Sequence, residues 1–200
     1  GPAFLVHAGY IFTDAGETDE EAQAAMADLI CLAGVSPVVN TLRRMPYTAF
    51  QAAMADKQLS GQYYEKGGLC KEISPRLRNV LIEKFPSLPT PAGMVALLLC
   101  GGQMAASPPD ATAFVSRDVQ YWLLSIGCFT DENRDATLAW YREFGQAIDT
   151  EVNSQYVNTI VERANRKAEL MWGPNLPRLQ AVKRKYDPHN LFCRCVPLPL

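Results

Sequence analysis

The sequence predicts an α+β domain, a mainly antiparallel sheet covered by helices. Three observations carry this. The chain opens as strand, helix, strand. A long alternating strand signal occupies residues 113–128. Neither an internal repeat nor a linker divides the chain, so residues 3–200 read as a single domain. The leading Gly1-Pro2 reads as a protease-cleavage scar and is set aside.

Phe4 to Phe12 is apolar and aromatic and predicts a first strand. Thr18 and Glu21 form a capping-box pattern, after which Ala22, Ala25, Met26, Leu29 and Ile30 recur at helical spacing up to a stop at Gly34. Val35 to Leu42 returns as a strand, and Tyr47 to Ala55 predicts a short helix. Asp56 to Gly68 reads as a polar link, and Leu69 to Ile73 as a short strand. Ser74 caps a helix that begins at Pro75, and Met94 to Cys100 predicts a buried strand. In Ala113 to Cys128, Phe114, Ser116, Asp118, Gln120 and Trp122 alternate with Val115, Arg117, Val119, Tyr121 and Leu123. Thr130 then caps an amphipathic helix with Ala136, Trp140, Phe144, Ala147 and Ile148 inward. Gln155 to Thr159 reads as extended, and helices are expected near Arg163 to Trp172 and Pro177 to Tyr186.

Composition limits the function. The chain has 200 residues, is 48% hydrophobic and 20% charged, and carries a formal net charge of −2. That balance argues against a nucleic-acid or anionic-membrane partner, which needs a basic excess. The basic runs at Arg163, Arg166 and Lys167 and at Lys183 to Lys185 read as solvated helix faces. No apolar run nears the roughly 20 residues that span a bilayer, and no secretory signal is visible, which favours the cytoplasm. Six cysteines form no CxxC pair, and the two histidines lie far apart, so no metal site is expected. Cys31, Cys100 and Cys128 read as buried thiols, and Cys193 and Cys195 as a reactive pair near the tail. His7 reads as a satisfied, half-buried histidine.

The polar residues of the long strand resist a purely structural reading. Arg117 needs an acceptor, since an unpaired buried charge is costly. It is met either by Asp118 or a carbonyl at a sheet edge, or by a ligand. Tyr156 and Asn158 share a face of an extended segment, where a phenol and an amide can address a planar polar ligand.

The run from Trp172 to Phe192 contains Gly-Pro-Asn-Leu-Pro-Arg-Leu-Gln-Ala-Val-Lys-Arg-Lys-Tyr-Asp-Pro-His-Asn-Leu-Phe. It is similar to the C-terminal signature of the berberine-bridge-type FAD-linked oxidases, with a capped helix, a proline stop and a Leu191-Phe192 plug. Tyr63-Tyr64-Glu65-Lys66-Gly67-Gly68, Gly101-Gly102, Thr112-Ala113-Phe114 with Arg117, and Tyr156-Val157-Asn158 resemble further family segments in the same order. The berberine-like part is placed at about residues 150–200. The departures are Glu65 in place of a common aromatic, Ser116 in place of a histidine, Cys193 in place of an arginine, and a changed pattern from Thr159 to Lys167.

The resemblance implies a substrate-binding portion whose flavin-binding counterpart is not in this sequence. FAD is therefore expected only from a separate flavin domain, because no side chain substitutes for it as hydride acceptor. Three functions are compatible with this. One is a flavin-free domain that binds a small organic substrate and catalyses a non-redox step, such as cyclisation or isomerisation in natural-product biosynthesis. The others are the substrate-binding half of an FAD-linked oxidoreductase and a non-catalytic interaction module. Tyr156, Arg117 and Gln120 are the candidate catalytic residues, with Tyr121, Asn158, Gln103 and Trp122 on the substrate. Expected partners are a small molecule and either a second copy of the chain or a separate flavin-domain chain.

Overall fold

A computed structural model describes residues 5–12, 17–32, 34, 36–55, 62–159, 168–193 and 198. The chain divides into two compact units, Gly1–Gln58 and Leu59–Leu200.

In the first unit, helix α1 (Asp19–Leu32) starts at the expected capping box. The Glu21 N–H donates to Thr18 Oγ1 (3.3 Å), and the Thr18 N–H donates to the Glu21 carboxylate (2.9 Å). Three acidic residues in its first turn complement the helix dipole. Helix α2 spans Tyr47–Ala55, as predicted. The two predicted strands are corrected: residues 5–12 and 36–46 carry no regular structure. β propensity needs a neighbour to pack and pair against, and within this unit no ladder partner is present among the described residues. Val38 and Val39 are instead exposed, as are Leu5 and Ile11. His7 is also exposed, stacked on Phe50 at 4.3 Å.

The second unit is built on a three-stranded antiparallel sheet, order β1-β3-β2, with β1 Gln62–Cys70, β2 Met94–Leu99 and β3 Tyr121–Phe129. Two strand boundaries are corrected. The predicted polar link before Gly68 is most of β1, and the 113–128 strand begins only at Tyr121. Before it, the Arg117 N–H turns back to the Val115 carbonyl (2.8 Å), which breaks the extended run.

Helices α3 (Pro75–Lys84) and α5 (Arg134–Ile148) cover one face of the sheet. Ser74 caps α3 as expected, its Oγ accepting from the Leu77 N–H at 3.0 Å. Thr130 does not cap α5, which starts a turn later behind Asn133; Thr137, Tyr141, Phe144, Gly145 and Ile148 face inward, and Ala136 is exposed. Leu77, Leu123, Cys70, Phe144 and Ile148 form the fully buried core. Tyr141 lies across Gly127, where a Cβ would come within 2.2 Å of its ring, and its hydroxyl donates to the Ile126 carbonyl at 2.6 Å. A side chain at Gly127 would therefore expel the tyrosine.

A short helix, α4 (Gln103–Ala106), follows β2, and α6 (Ala168–Trp172) and α7 (Leu176–Tyr186) close the chain. The run Arg163 to Lys167 and Cys195 lie outside the described residues. Asp187 stops α7: its carboxylate accepts from the Leu191 N–H (2.7 Å) and the Phe192 N–H (3.1 Å) and pairs with Lys183. Leu191 and Phe192 are exposed rather than a plug. Of the cysteines read as buried, Cys31 is exposed and Cys100 and Cys128 are half-buried, while Cys70 is fully buried and its thiol pushed up to about 11, mainly by burial.

Candidate functional site

Side chains of β3 alternate between faces. Tyr121, Leu123, Ser125 and Gly127 face α3 and α5, and Trp122, Leu124, Ile126 and Cys128 face the other way. The ladder register adds Tyr63, Glu65, Gly67 and Leu69 from β1 and Met94, Ala96 and Leu98 from β2 to this far face. Apart from Leu69, the side chains here are half-buried or exposed. The result is an apolar floor with polar groups at its two ends.

At the first end, Tyr156 stands edge-on to Trp122 (5.4 Å between ring centroids) and to Phe114 (6.1 Å). The Arg117 guanidinium lies 4.9 Å from the centre of the Phe114 ring. Its Nη1 donates to the Met104 carbonyl (3.0 Å) and its Nη2 to Thr112 Oγ1 (2.8 Å). The carbonyl arrangement therefore holds and the Asp118 alternative does not: Asp118 pairs with Lys71 at 2.5 Å, and that hydrogen bond keeps its carboxyl below the usual range. Two donors in this cluster, Arg117 Nε and Trp122 Nε1, are buried with no acceptor among the described residues. An unmet buried donor costs about 1–3 kcal/mol, which a ligand oxygen would recover. Asn158 Nδ2 donates to the Tyr156 hydroxyl at 2.9 Å, leaving the phenolic proton free to donate elsewhere. The two meet through a 3₁₀ turn, Val157–Thr159, and not through the extended segment expected.

At the other end stands Glu65, opposite Ile126. It lies four positions along the strand from Leu69, which is opposite Trp122, or about 13 Å at the strand rise. Half-buried beside apolar neighbours, its carboxyl is pushed above the ordinary glutamate range by desolvation. It has no ion-pair or hydrogen-bond partner among the described residues. The sequence pattern does not mark Glu65 as a site residue, because its segment reads as a polar link.

The remaining candidates do not join this cluster. Tyr121 turns to the helix-covered face and packs on the core. Gln120 is exposed, and its backbone joins the flanking chains: its N–H donates to the Cys70 carbonyl (3.0 Å) and its carbonyl accepts from Cys100 (2.8 Å). Gln103 is exposed at the start of α4. Ser116, at the family's histidine position, is buried in a hydrogen bond with Ser154 (2.7 Å).

The Gly101-Gly102 turn leads into a helix of four residues, too short to cradle a pyrophosphate. No group of three metal-ligating side chains occurs among the described residues, and no helix among them is long and apolar enough to cross a membrane.

Comparison with known proteins agrees with this architecture. Residues 155–194 match the family described as berberine and berberine like. The FAD-linked oxidoreductase pgmH of Aspergillus terreus is 28% identical over 87% of this chain and 39% of its own length. An FAD-linked oxidoreductase of Dictyostelium discoideum is 24% identical over 78% of this chain and 35% of its own. The fold is that of a berberine bridge enzyme variant at a TM-score of 0.72, with 21% identity, covering 92% of this chain and 44% of that one. The chain spans under half the length of these relatives. The chain is thus similar to berberine-bridge-like FAD-linked oxidoreductases over part of their length.

Proposed function

We propose that this chain supplies the substrate-binding part of a berberine-bridge-like FAD-linked oxidoreductase. A flat, largely apolar small molecule lies on the far face of the sheet, between Glu65 and the Trp122–Tyr156 pair. The observation that carries this is the pair of buried, unanswered donors, Arg117 Nε and Trp122 Nε1, beside a tyrosine with a free phenolic proton. An acceptor on the ligand, such as a carbonyl, ether or phenolate oxygen, meets all three. The apolar strands supply contact area, and the few polar groups fix orientation.

The flavin comes from outside this chain, and no step is assigned to it. Glu65 supports a second reading, a non-redox step by this chain alone. A carboxyl raised by desolvation exchanges a proton near neutral pH more readily than an exposed one, which is what an isomerisation or cyclisation asks of a single side chain. Gln120 and Gln103 have no role in either reading beyond the rim.

The test is titration of the purified chain with (S)-reticuline, the molecule present with a berberine bridge enzyme variant. Indole fluorescence reports Trp122. Saturable quenching that is lost in Trp122→Phe and retained in Trp140→Phe supports the site; quenching insensitive to Trp122 counts against it. After incubation with FAD and desalting, the chain should show no flavin absorbance. Conversion of the ligand in that flavin-free sample would favour the second reading.

A further inference from the structure

Asn175 stands immediately before α7, the place where an asparagine ordinarily caps its own helix. It makes no such bond. Its side chain is buried, 6% exposed, and reaches the segment between α4 and β3, where Nδ2 donates to the Pro109 and Thr112 carbonyls, both at 2.9 Å. That segment carries no regular structure, so its course depends on bonds of this kind. One nitrogen with two N–H donors answers both carbonyls; an aspartate in the same space would face them with oxygen. The clamp is one residue from the site. Thr112 Oγ1 accepts from Arg117 Nη2 (2.8 Å) and from the Phe114 N–H (3.3 Å), and the guanidinium rests on the Phe114 ring. A shift of Thr112 therefore moves Arg117 and Phe114 together. Tyr156 hangs on the same corner of the chain, because the Gln155 N–H before it donates to the Leu170 carbonyl of α6 (3.0 Å). Between Leu170 and Asn175 the chain turns at Gly173, whose φ of 45° is a left-handed conformation that favours glycine.

We propose that Asn175 is a positioning residue for the substrate site. Through Thr112 it sets the place of Arg117 and Phe114 beside Tyr156, and it touches no substrate atom itself. The Gly-Pro-Asn corner thus has a task that helix capping does not explain: it holds both arms of the aromatic cluster, one by the Asn175 side chain and one by the Leu170 carbonyl. The inference rests on the substrate reading above for its ligand, and on bonds within this unit for its geometry.

Magnetic resonance of the full chain tests the geometry without a ligand. The probe is the buried Arg117 Nε–H, assigned by its loss in Arg117→Lys. The control is the Trp140 indole N–H, which donates to Ser87 Oγ (2.9 Å) away from this cluster. Asn175→Asp should speed exchange of the Arg117 proton with water by at least about tenfold and leave the control unchanged. In Gly173→Ala the new Cβ meets Val115 at an ordinary 3.6 Å but strains the backbone. It should act in the same direction, which keeps the test valid if Asn175→Asp folds poorly. Thr112→Val, at an exposed position, cuts the link to Arg117 and keeps the carbonyl clamp; in that background Asn175→Asp should add little further. Titration with (S)-reticuline then reads the site, where Asn175→Asp should weaken binding by about twofold to thirtyfold. A wild-type chain that ignores (S)-reticuline counts against the substrate reading, and the exchange rates decide the positioning separately. An Arg117 proton indifferent to both Asn175→Asp and Gly173→Ala, equal effects with and without the Thr112 hydroxyl, or faster exchange with wild-type affinity would each overturn the proposal.

Discussion

The two faces of the sheet are built from alternate residues of the same three strands, yet they are finished in different ways. On the helix-covered face Leu123 and Cys70 are fully buried, and Ser125 gives its hydroxyl to the Lys66 carbonyl at 2.6 Å. On the far face a carboxylate and an indole N–H stand without partners among the described residues. A face that only had to fold would carry polar residues facing water or apolar ones facing a helix. The far face does neither. The covered face specifies the fold, and the far face holds unmet interactions that a ligand can complete.

The sharpest way to break this contrast is a pair of neighbouring truncations. Leu123→Ala opens a hole among Leu77, Phe144 and Ile148 and should cost about 2–5 kcal/mol in denaturant unfolding. Leu124→Ala, one residue on and half-buried on the far face, should cost about 1 kcal/mol. Equal costs would mean that both faces are core and that the far face is not a binding floor.

A smaller effect, with a pH signature, is expected at Glu65. Burial raises its carboxyl in the folded state, so the folded chain holds this proton more tightly than the unfolded chain does. The contribution is favourable at acid pH, below the unfolded value. It is lost as pH rises through the folded value, where a charge must be kept in a poor environment. Glu65→Gln should therefore melt above the wild type at pH 7, and the gap should close toward pH 4. A gap that is constant with pH, or of the opposite sign, would show that the carboxylate has a partner on this face.

Most local signals in the sequence transferred to the structure, the Thr130 cap excepted, whereas strand signals held only in part, as at Met94–Leu99. The Thr18–Glu21 box, the Ser74-Pro75 start and the Tyr47–Ala55 bounds depend on neighbours within four residues, and each holds. Strand β1 was hidden by Gly67-Gly68, which reads as a loop. Gly67 is a glycine because a Cβ there would sit 2.0 Å from the Leu123 carbonyl oxygen across the ladder, a constraint no local window contains. Losing β1 also hid Glu65, whose face is known only from its register with Ile126. The strands expected at Phe4 to Phe12 and Val35 to Leu42 failed in the opposite sense, with the right composition and no ladder. Tyr156 and Asn158 came together as expected, although a 3₁₀ turn joins them.

The smallest expected effect is the most specific to the site. Tyr156→Phe keeps the ring that packs edge-on against Trp122 and Phe114, so the aromatic cluster survives. It removes one hydroxyl, which in the free protein accepts from the Asn158 side chain. Asn158 is exposed, and water replaces that acceptor, so the melting temperature should be nearly unchanged. With ligand bound, the phenolic proton is the group that is lost, and one neutral hydrogen bond is worth about 0.5–1.5 kcal/mol. Affinity should therefore fall by about twofold to tenfold, measured by the same fluorescence titration. Asn158→Ala removes the partner that orients the phenol but leaves the phenol itself, so its loss should be smaller than that of Tyr156→Phe. If Tyr156→Phe binds as the wild type does while Trp122→Phe does not, the ligand contacts the strand and not the 3₁₀ turn. The candidate site then contracts to Trp122, Arg117 and the apolar floor.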